Sequence, residues 1–354
     1  MFGLAKTLFL QAAASFDRAV TLAVRVGLPP EDDAPLDWGY EARLAFLEAL
    51  AERYGSLDLD GYFPEPAAIE PVARDEGLGP KRLRRTDLTW PSDYEPFLPE
   101  MRDAYLRTPE NQWAHARLFR GETPRPVAIL VHGYLMGRLP IDERVWPIGL
   151  LDATGLDSAL VVLPFHGRRG DKARSGRPEF PGRDPRIANE GFRQSVGEIR
   201  QLAAFLRQKG HPAVGVIGMS LGGYAAALTA TVETKLDFLV PIIPLASLAD
   251  FAFEQGSLSE SPELRAREFA LLERTYAVAS PLARAPLVPP DRTLVLGGKA
   301  DRITPLSHAK RLARHFGAPL ATFYGGHLLQ LGKNDAWDRI AELLKRATTG
   351  QRQP

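Results

Sequence analysis

The chain contains no cysteine. That excludes disulfides, thiolate-held zinc, iron–sulfur clusters and a cysteine nucleophile, and it is compatible with the cytosol. It has no excess charge of either sign: 44 Lys and Arg against 43 Asp and Glu leave +1. A balance this even gives no global pull toward nucleic acid or anionic membrane. Nor is there an unbroken apolar run of the ~20 residues that a membrane-spanning helix needs. Internal repeats and low-complexity tracts are absent as well. What is present is a globular composition, 45% hydrophobic and 25% charged over 354 residues. That is enough for one large domain or two ordinary ones, with a sizeable core.

The first segment, MFGLAKTLFLQAAASF, precedes Asp17 and Arg18. Lys6 alone makes a weak basic region for a signal peptide, although Ala12 to Ala14 supply small residues. Leu4, Leu8, Phe9, Ala12, Phe16, Val20 and Ala23 recur at helical spacing. The expectation is an amphipathic helix packed on the body of the protein; peripheral membrane contact through residues 1–28 is the alternative. An acidic, Pro-rich linker follows over 31–40. Tyr40 to Tyr54 then carries Leu44, Leu47, Leu50 and Ala51 on one helical face, with Gly55 as the stop. The Pro- and Gly-rich stretch from Asp60 to Pro80 is expected to wrap the surface. Residues 1–80 are thus read as an N-terminal helical extension and 81–354 as the core. The basic run Lys81, Arg82, Arg84 and Arg85 lacks interleaved aromatics and is read as solvated, with no nucleic acid partner.

The pattern changes after residue 82. Leu83 to Trp90 and Gln112 to Phe119 read as strands. Val127 to Val131 and Ala159 to Leu163 are short, continuous apolar runs, as fully buried strands require. Strands are also expected at Ala213 to Gly218, Phe238 to Ile243, Thr293 to Leu296 and Leu320 to Tyr324. Helices are expected at Phe192 to Gln208, Leu221 to Val232, Pro305 to Phe316 and Asp335 to Thr348. Strands alternating with helices predict an α/β fold with a mostly parallel sheet covered on both faces. Residues 245–290 interrupt the alternation with a helical insertion, where a lid would sit.

Gly218-Met219-Ser220-Leu221-Gly222 matches G-x-S-x-G, directly after one expected strand and directly before a helix. That is the setting of a nucleophile elbow, whose tight turn needs small residues beside the serine. The helix behind it points its positive end at the place where an oxyanion forms. A serine hydroxyl needs a base, and the chain order for such a fold is serine, acid, histidine. Asp301 lies on the loop after Thr293 to Leu296, and His327 ends Gly325-Gly326-His327 after Leu320 to Tyr324. Asp250 in the insertion is the weaker alternative acid, and Arg302 is a competing partner for Asp301. An oxyanion hole takes two backbone N–H groups. Those of Leu221 and of Tyr134, in the loop His132-Gly133-Tyr134, are the candidates. His132 itself is expected to shape that loop.

With VHGY at 131–134, GMSLGG at 218–223, Asp301 and GGH ending at His327, the sequence resembles the α/β-hydrolase superfamily over roughly residues 83–350. The resemblance implies an eight-stranded, mostly parallel sheet. It also implies a Ser220–His327–Asp301 triad acting through an acyl-enzyme, with no metal or organic cofactor. The expected substrate is a carboxylic ester, lipid-like or with another apolar acyl group. The alternatives are an acyltransferase or thioesterase on the same triad, or a catalytically silent binding protein. Activity should rise with pH through roughly 6–7.5 as a histidine base loses its proton. The turn at Leu163 to Gly170 departs from a frequent Asp-x-x-Gly pattern; His166 and Arg168 are candidate substrate contacts there, with a brace for the loop as the equal alternative for His166. Arg168, Arg169, Lys172, Arg174, Arg177, Arg183 and Arg186 form a basic stretch. It is read first as solvated surface and second as a holder of an anionic substrate or lipid headgroup.

Overall fold

The computed structural model describes residues 10–19, 39–171, 177–330 and 334–349. Lys172 and Arg174 of the basic stretch, and most of residues 1–28, lie outside them. Nine strands form one sheet in the order β1-β2-β3-β5-β4-β6-β7-β8-β9. They are β1 (Val72–Leu78), β2 (Arg84–Pro91), β3 (Trp113–Arg120), β4 (Val127–Val131), β5 (Asp157–Val161), β6 (Val214–Met219), β7 (Leu239–Ile242), β8 (Val295–Gly298) and β9 (Leu320–Phe323). The pairs β1/β2, β2/β3 and β3/β5 are antiparallel, and every pairing from β5/β4 to β8/β9 is parallel.

The central strands are apolar throughout because helices cover both faces of the sheet. Alternate residues of β4 serve the two layers, since successive side chains of a strand point to opposite faces. Val127, Ile129 and Val131 join Phe192, Val196, Ile199 and Tyr224 on one side. Ala128 and Leu130 join Leu151, Ile340 and Leu344 on the other.

Eight strands were expected and nine are present among the described residues. The additional one, β1, lies in the segment read as a surface wrap within the N-terminal extension. Its sequence, VARDEGL, is exposed at nearly every position and so carries no apolar alternation. Backbone pairing to β2 makes it a strand.

The helix expected from Phe192 begins earlier and spans Pro185–Gln208. The Asp184 side chain caps it by accepting the Arg186 N–H at 2.9 Å, with Pro185 in the first turn. Its opening turns bury Asn189, Glu190 and Gln194, whose polarity hides the helical period. Glu190 accepts the N–H groups of Phe97 (2.9 Å) and Leu98 (3.0 Å), and Asn189 donates to Thr275 O (2.9 Å).

Two N-terminal pieces dock on this body. The helix over residues 10–19 buries Ala13 and Ala14 against Ala300, beside Leu10 and Leu329. The helix Tyr40–Gly55 packs Leu44, Leu47 and Ala51 on Ala249, Leu271 and Leu272 of the 245–290 insertion. That insertion contains the helices Leu248–Glu254 and Pro262–Tyr276. Arg43 forms an ion pair with the buried Glu268, and Tyr40 Oη donates to Leu264 O at 3.0 Å. The expected lid is therefore pinned by the N-terminal extension. Among the described residues, no helix is long and apolar enough to cross a membrane.

Candidate active site

Ser220 stands between β6 and the helix Leu221–Thr229 with φ 57° and ψ −115°. For a non-glycine residue that conformation costs on the order of 1–3 kcal/mol and persists only where the surroundings enforce it. Here they do. The Ser220 N–H donates to Ile242 O at 3.0 Å, and its carbonyl accepts from Tyr224 (3.1 Å) and Leu245 (3.2 Å). The flanking glycines are required by space. A Cβ on Gly218 would fall on the Gly222 carbonyl, and one on Gly222 would fall on that of Val131. This close approach seats the elbow against the end of β4 and the loop that follows it.

The structure brings Ser220, His327 and Asp301 together, although they lie on three different loops. His327 Nε2 is 2.9 Å from Ser220 Oγ, and His327 Nδ1 is 2.8 Å from Asp301 Oδ2. Asp301 is buried and also receives the Ile303 (2.9 Å) and Thr304 (2.8 Å) N–H groups on Oδ1. These bonds fix its carboxylate toward the imidazole. Asp301 thus pairs with His327 and not with Arg302, while Asp250, on the insertion, forms an ion pair with Arg311 of the helix Leu306–His315.

The loop after β4 lies directly against the serine. An added Cβ on Gly133 would sit 3.4 Å from Ser220 Cβ and 3.6 Å from Met219 O. Tyr134 follows Gly133 and Leu221 opens the helix after Ser220, so the two backbone candidates lie on the two segments that meet at this contact. His132 is buried and shapes this loop as expected. Its Nε2 accepts the Leu163 N–H at 3.0 Å, which leaves Nδ1–H to donate to Gly133 O at 2.8 Å. Burial lowers its pKa to about 4, so it is neutral over the physiological range.

Of the two readings of His166, a residue lining the site or a brace for its loop, the second fits: it is fully buried, packed against His132, Tyr134 and Phe180, and is no open substrate contact. Its Nδ1 bonds Pro164 O at 2.8 Å, and burial pushes its pKa well below the ordinary value. It braces the loop behind Tyr134. Arg168 is exposed on the 3-10 turn Gly167–Arg169. Two members of the basic stretch are structural. Arg169 forms a buried two-pronged pair with Glu198 (2.6 and 2.7 Å), and Arg186 pairs with Asp184 at 2.7 Å.

Two residues escape sequence reasoning. Thr304 Oγ1 is 3.1 Å from His327 Nδ1, 3.2 Å from Asp301 Oδ2 and 3.0 Å from Ile243 O. Asp17 accepts the N–H groups of His327 (2.7 Å) and Leu328 (3.1 Å) from the helix over residues 10–19. No motif marks either position. Among the described residues, no group of three or more His, Asp or Glu is placed to hold a metal ion.

A mostly parallel sheet between helical layers, with a serine on a positive-φ elbow at the end of a central strand, defines the α/β-hydrolase fold. A family model described as "Alpha/beta hydrolase domain containing 18" matches residues 191–279. The uncharacterized protein Rv2627c of Mycobacterium tuberculosis strain H37Rv is 31% identical over 326 residues, 91% of this chain and 78% of that protein. The chain belongs to the same family as this mycobacterial protein, within the α/β-hydrolase superfamily. Among solved structures it is similar to acetyl xylan esterase 1 from Thermoanaerobacterium sp. JW/SL YS485, with a TM-score of 0.55 at 17% identity, covering 84% of this chain and 93% of that one. The acetyl xylan esterase from Paenibacillus sp. R4 is similar with a TM-score of 0.52 at 16% identity, covering 90% and 98%. At such identities the likeness is one of fold.

Proposed function

We propose that the protein is a serine hydrolase that cleaves a carboxylic ester through an acyl-enzyme. The observation that carries this reading is the continuous relay Ser220 Oγ–His327–Asp301, at 2.9 and 2.8 Å, on a strained elbow. A neutral His327 accepts the Ser220 proton at Nε2 as Oγ attacks the carbonyl carbon. Asp301 holds the Nδ1–H tautomer and stabilises the imidazolium that forms. The N–H groups of Tyr134 and Leu221 receive the oxyanion, aided by the positive end of the helix Leu221–Thr229. The imidazolium returns its proton to the departing alkoxide, and the ester C–O bond breaks. Water then attacks the acyl-enzyme with His327 again as base, releasing the acid and restoring Ser220. An apolar acyl group agrees with exposed Leu135 and Leu328, which neighbour Tyr134 and His327 in sequence.

The test is covalent labelling with a fluorophosphonate, followed by a panel of p-nitrophenyl esters of graded chain length. One adduct per chain, located on Ser220 by peptide mass, is expected. Ser220→Ala should lose the label and essentially all ester turnover while its melting temperature stays near that of the wild type. A folded wild-type protein that takes no label, or a Ser220→Ala variant that labels equally well, overturns the reading.

A further inference from the structure

Asp17 lies on the N-terminal helix, 310 residues from His327 in sequence, and is completely buried. We propose that Asp17 is a positioning residue for His327, which makes the helix over residues 10–19 a working part of the active site. The proposal rests on the reading of His327 as the base.

Both oxygens of the Asp17 carboxylate are committed to backbone. Oδ2 accepts the N–H groups of His327 at 2.7 Å and Arg302 at 3.3 Å, and Oδ1 accepts that of Leu328 at 3.1 Å. These donors come from two loops. One follows β8 and carries Asp301; the other follows β9 and carries His327. A single carboxylate therefore ties together the two loops whose side chains meet at 2.8 Å. Hydrogen bonds to an ionised acceptor are the strong ones, and a desolvated carboxylate needs them.

The local sequence is built around this contact. A Cβ on Gly326 would stand 2.6 Å from Asp17 Oδ2, so glycine at that position admits the carboxylate. The loops also touch each other: a Cβ on Gly298 would lie 2.9 Å from Gly325 O. On the helix, Ala13 and Ala14 are small enough to settle on Ala300, the residue before Asp301. Two of the three small residues noted in sequence, Ala13 and Ala14, are a docking face in the structure.

Without Asp17, three N–H groups beside the base lose their acceptor, and buried backbone donors do not stay unpaired. The loops shift to find water or each other, and the imidazole moves with them. A misplacement of about 1 Å in a catalytic group costs on the order of 10²-fold in rate.

The experiment uses the full chain and compares wild type, Asp17→Asn and Ala13→Glu. Asn keeps the volume of Asp but turns an NH2 donor toward one of the backbone donors. Ala13→Glu keeps the aspartate itself but blocks docking of the helix that carries it. Folding is checked by circular dichroism and a thermal melt, and all rates are taken below the melt. Both variants should show on the order of 10²-fold slower fluorophosphonate labelling of Ser220. For a p-nitrophenyl ester, kcat should fall in proportion while KM changes little. The low-field proton resonance of the His327 Nδ1–H···Asp301 hydrogen bond should broaden or vanish. A structural prop alone would lower the melting temperature and leave these three readouts unmoved. Labelling at the wild-type rate in either folded variant, with the resonance intact, overturns the role of Asp17 and leaves Ser220 as the nucleophile. A wild-type chain that takes no label overturns the hydrolase reading and this one together.

Discussion

Asp142 sits beneath the loop that follows β4, buried, with Oδ2 accepting the Gly137 N–H at 3.0 Å and Oδ1 lacking a hydrogen-bond partner. Burial pushes its pKa up to about 6. The folded state therefore holds a proton that the unfolded chain releases near pH 4. Its contribution to stability is present below pH 4 and is lost as pH rises to about 6. Above that the carboxylate is ionised in both states, and burying its charge costs roughly 2–3 kcal/mol. Asp142→Asn should be more stable than wild type at pH 8, with the gap closing toward pH 4; melting temperatures across that range check it. At this same scale, legibility was uneven. Ser220 and His327 stood out because glycines that admit close backbone approach announce them. His166 did not reveal its burial, since a histidine in a Gly- and Arg-rich turn reads alike whether it faces solvent or core. Thr304 and Asp17 were illegible because their partners are set by tertiary contact alone.

Elements with a clear period were found within a few residues, β4 and the helix Tyr40–Gly55 among them. Those stabilised by polar burial were not. β1 and the first turns of Pro185–Gln208 carry charged or amide side chains whose roles appear only once partners are in place. The contact between Tyr40–Gly55 and Pro262–Tyr276 is of the same kind. Arg43 is the cation that Glu268 meets, and the other oxygen of Glu268 takes the Ser259 N–H at 3.0 Å. Arg43→Ala leaves a buried carboxylate without its counter-charge. It should destabilise the protein by on the order of 2 kcal/mol, below the ~3–5 kcal/mol of fully buried pairs because Arg43 is partly open to solvent. The lowered urea midpoint should come with faster trypsin cleavage inside 255–267, which would show the insertion loosening first.

For the molecule as a whole, an open sheet has two edges that must not recruit other chains. β9 is only four residues long. β1 is longer and exposed, but it places Arg74, Asp75 and Glu76 in succession along the rim, with an Arg74–Glu76 ion pair at 3.0 Å. Charge on an edge strand opposes edge-to-edge pairing. Replacing all three by threonine should produce larger, concentration-dependent species in sedimentation velocity while the fold, by circular dichroism, is retained.

The groups gathered around Ser220 and its partners come from Asp17, the 132–134 loop, Asp301, Thr304 and His327, 310 residues apart at the extremes. During synthesis the serine leaves the ribosome more than a hundred residues before its histidine. The helix over residues 10–19 must wait longest, because the Asp17 carboxylate lacks its His327 and Leu328 donors until the loop after β9 has been made. A nascent chain or a product cut short before residue 327 therefore carries Ser220 without its imidazole partner. The Ser220–His327–Asp301 arrangement closes only after residue 327 has been made.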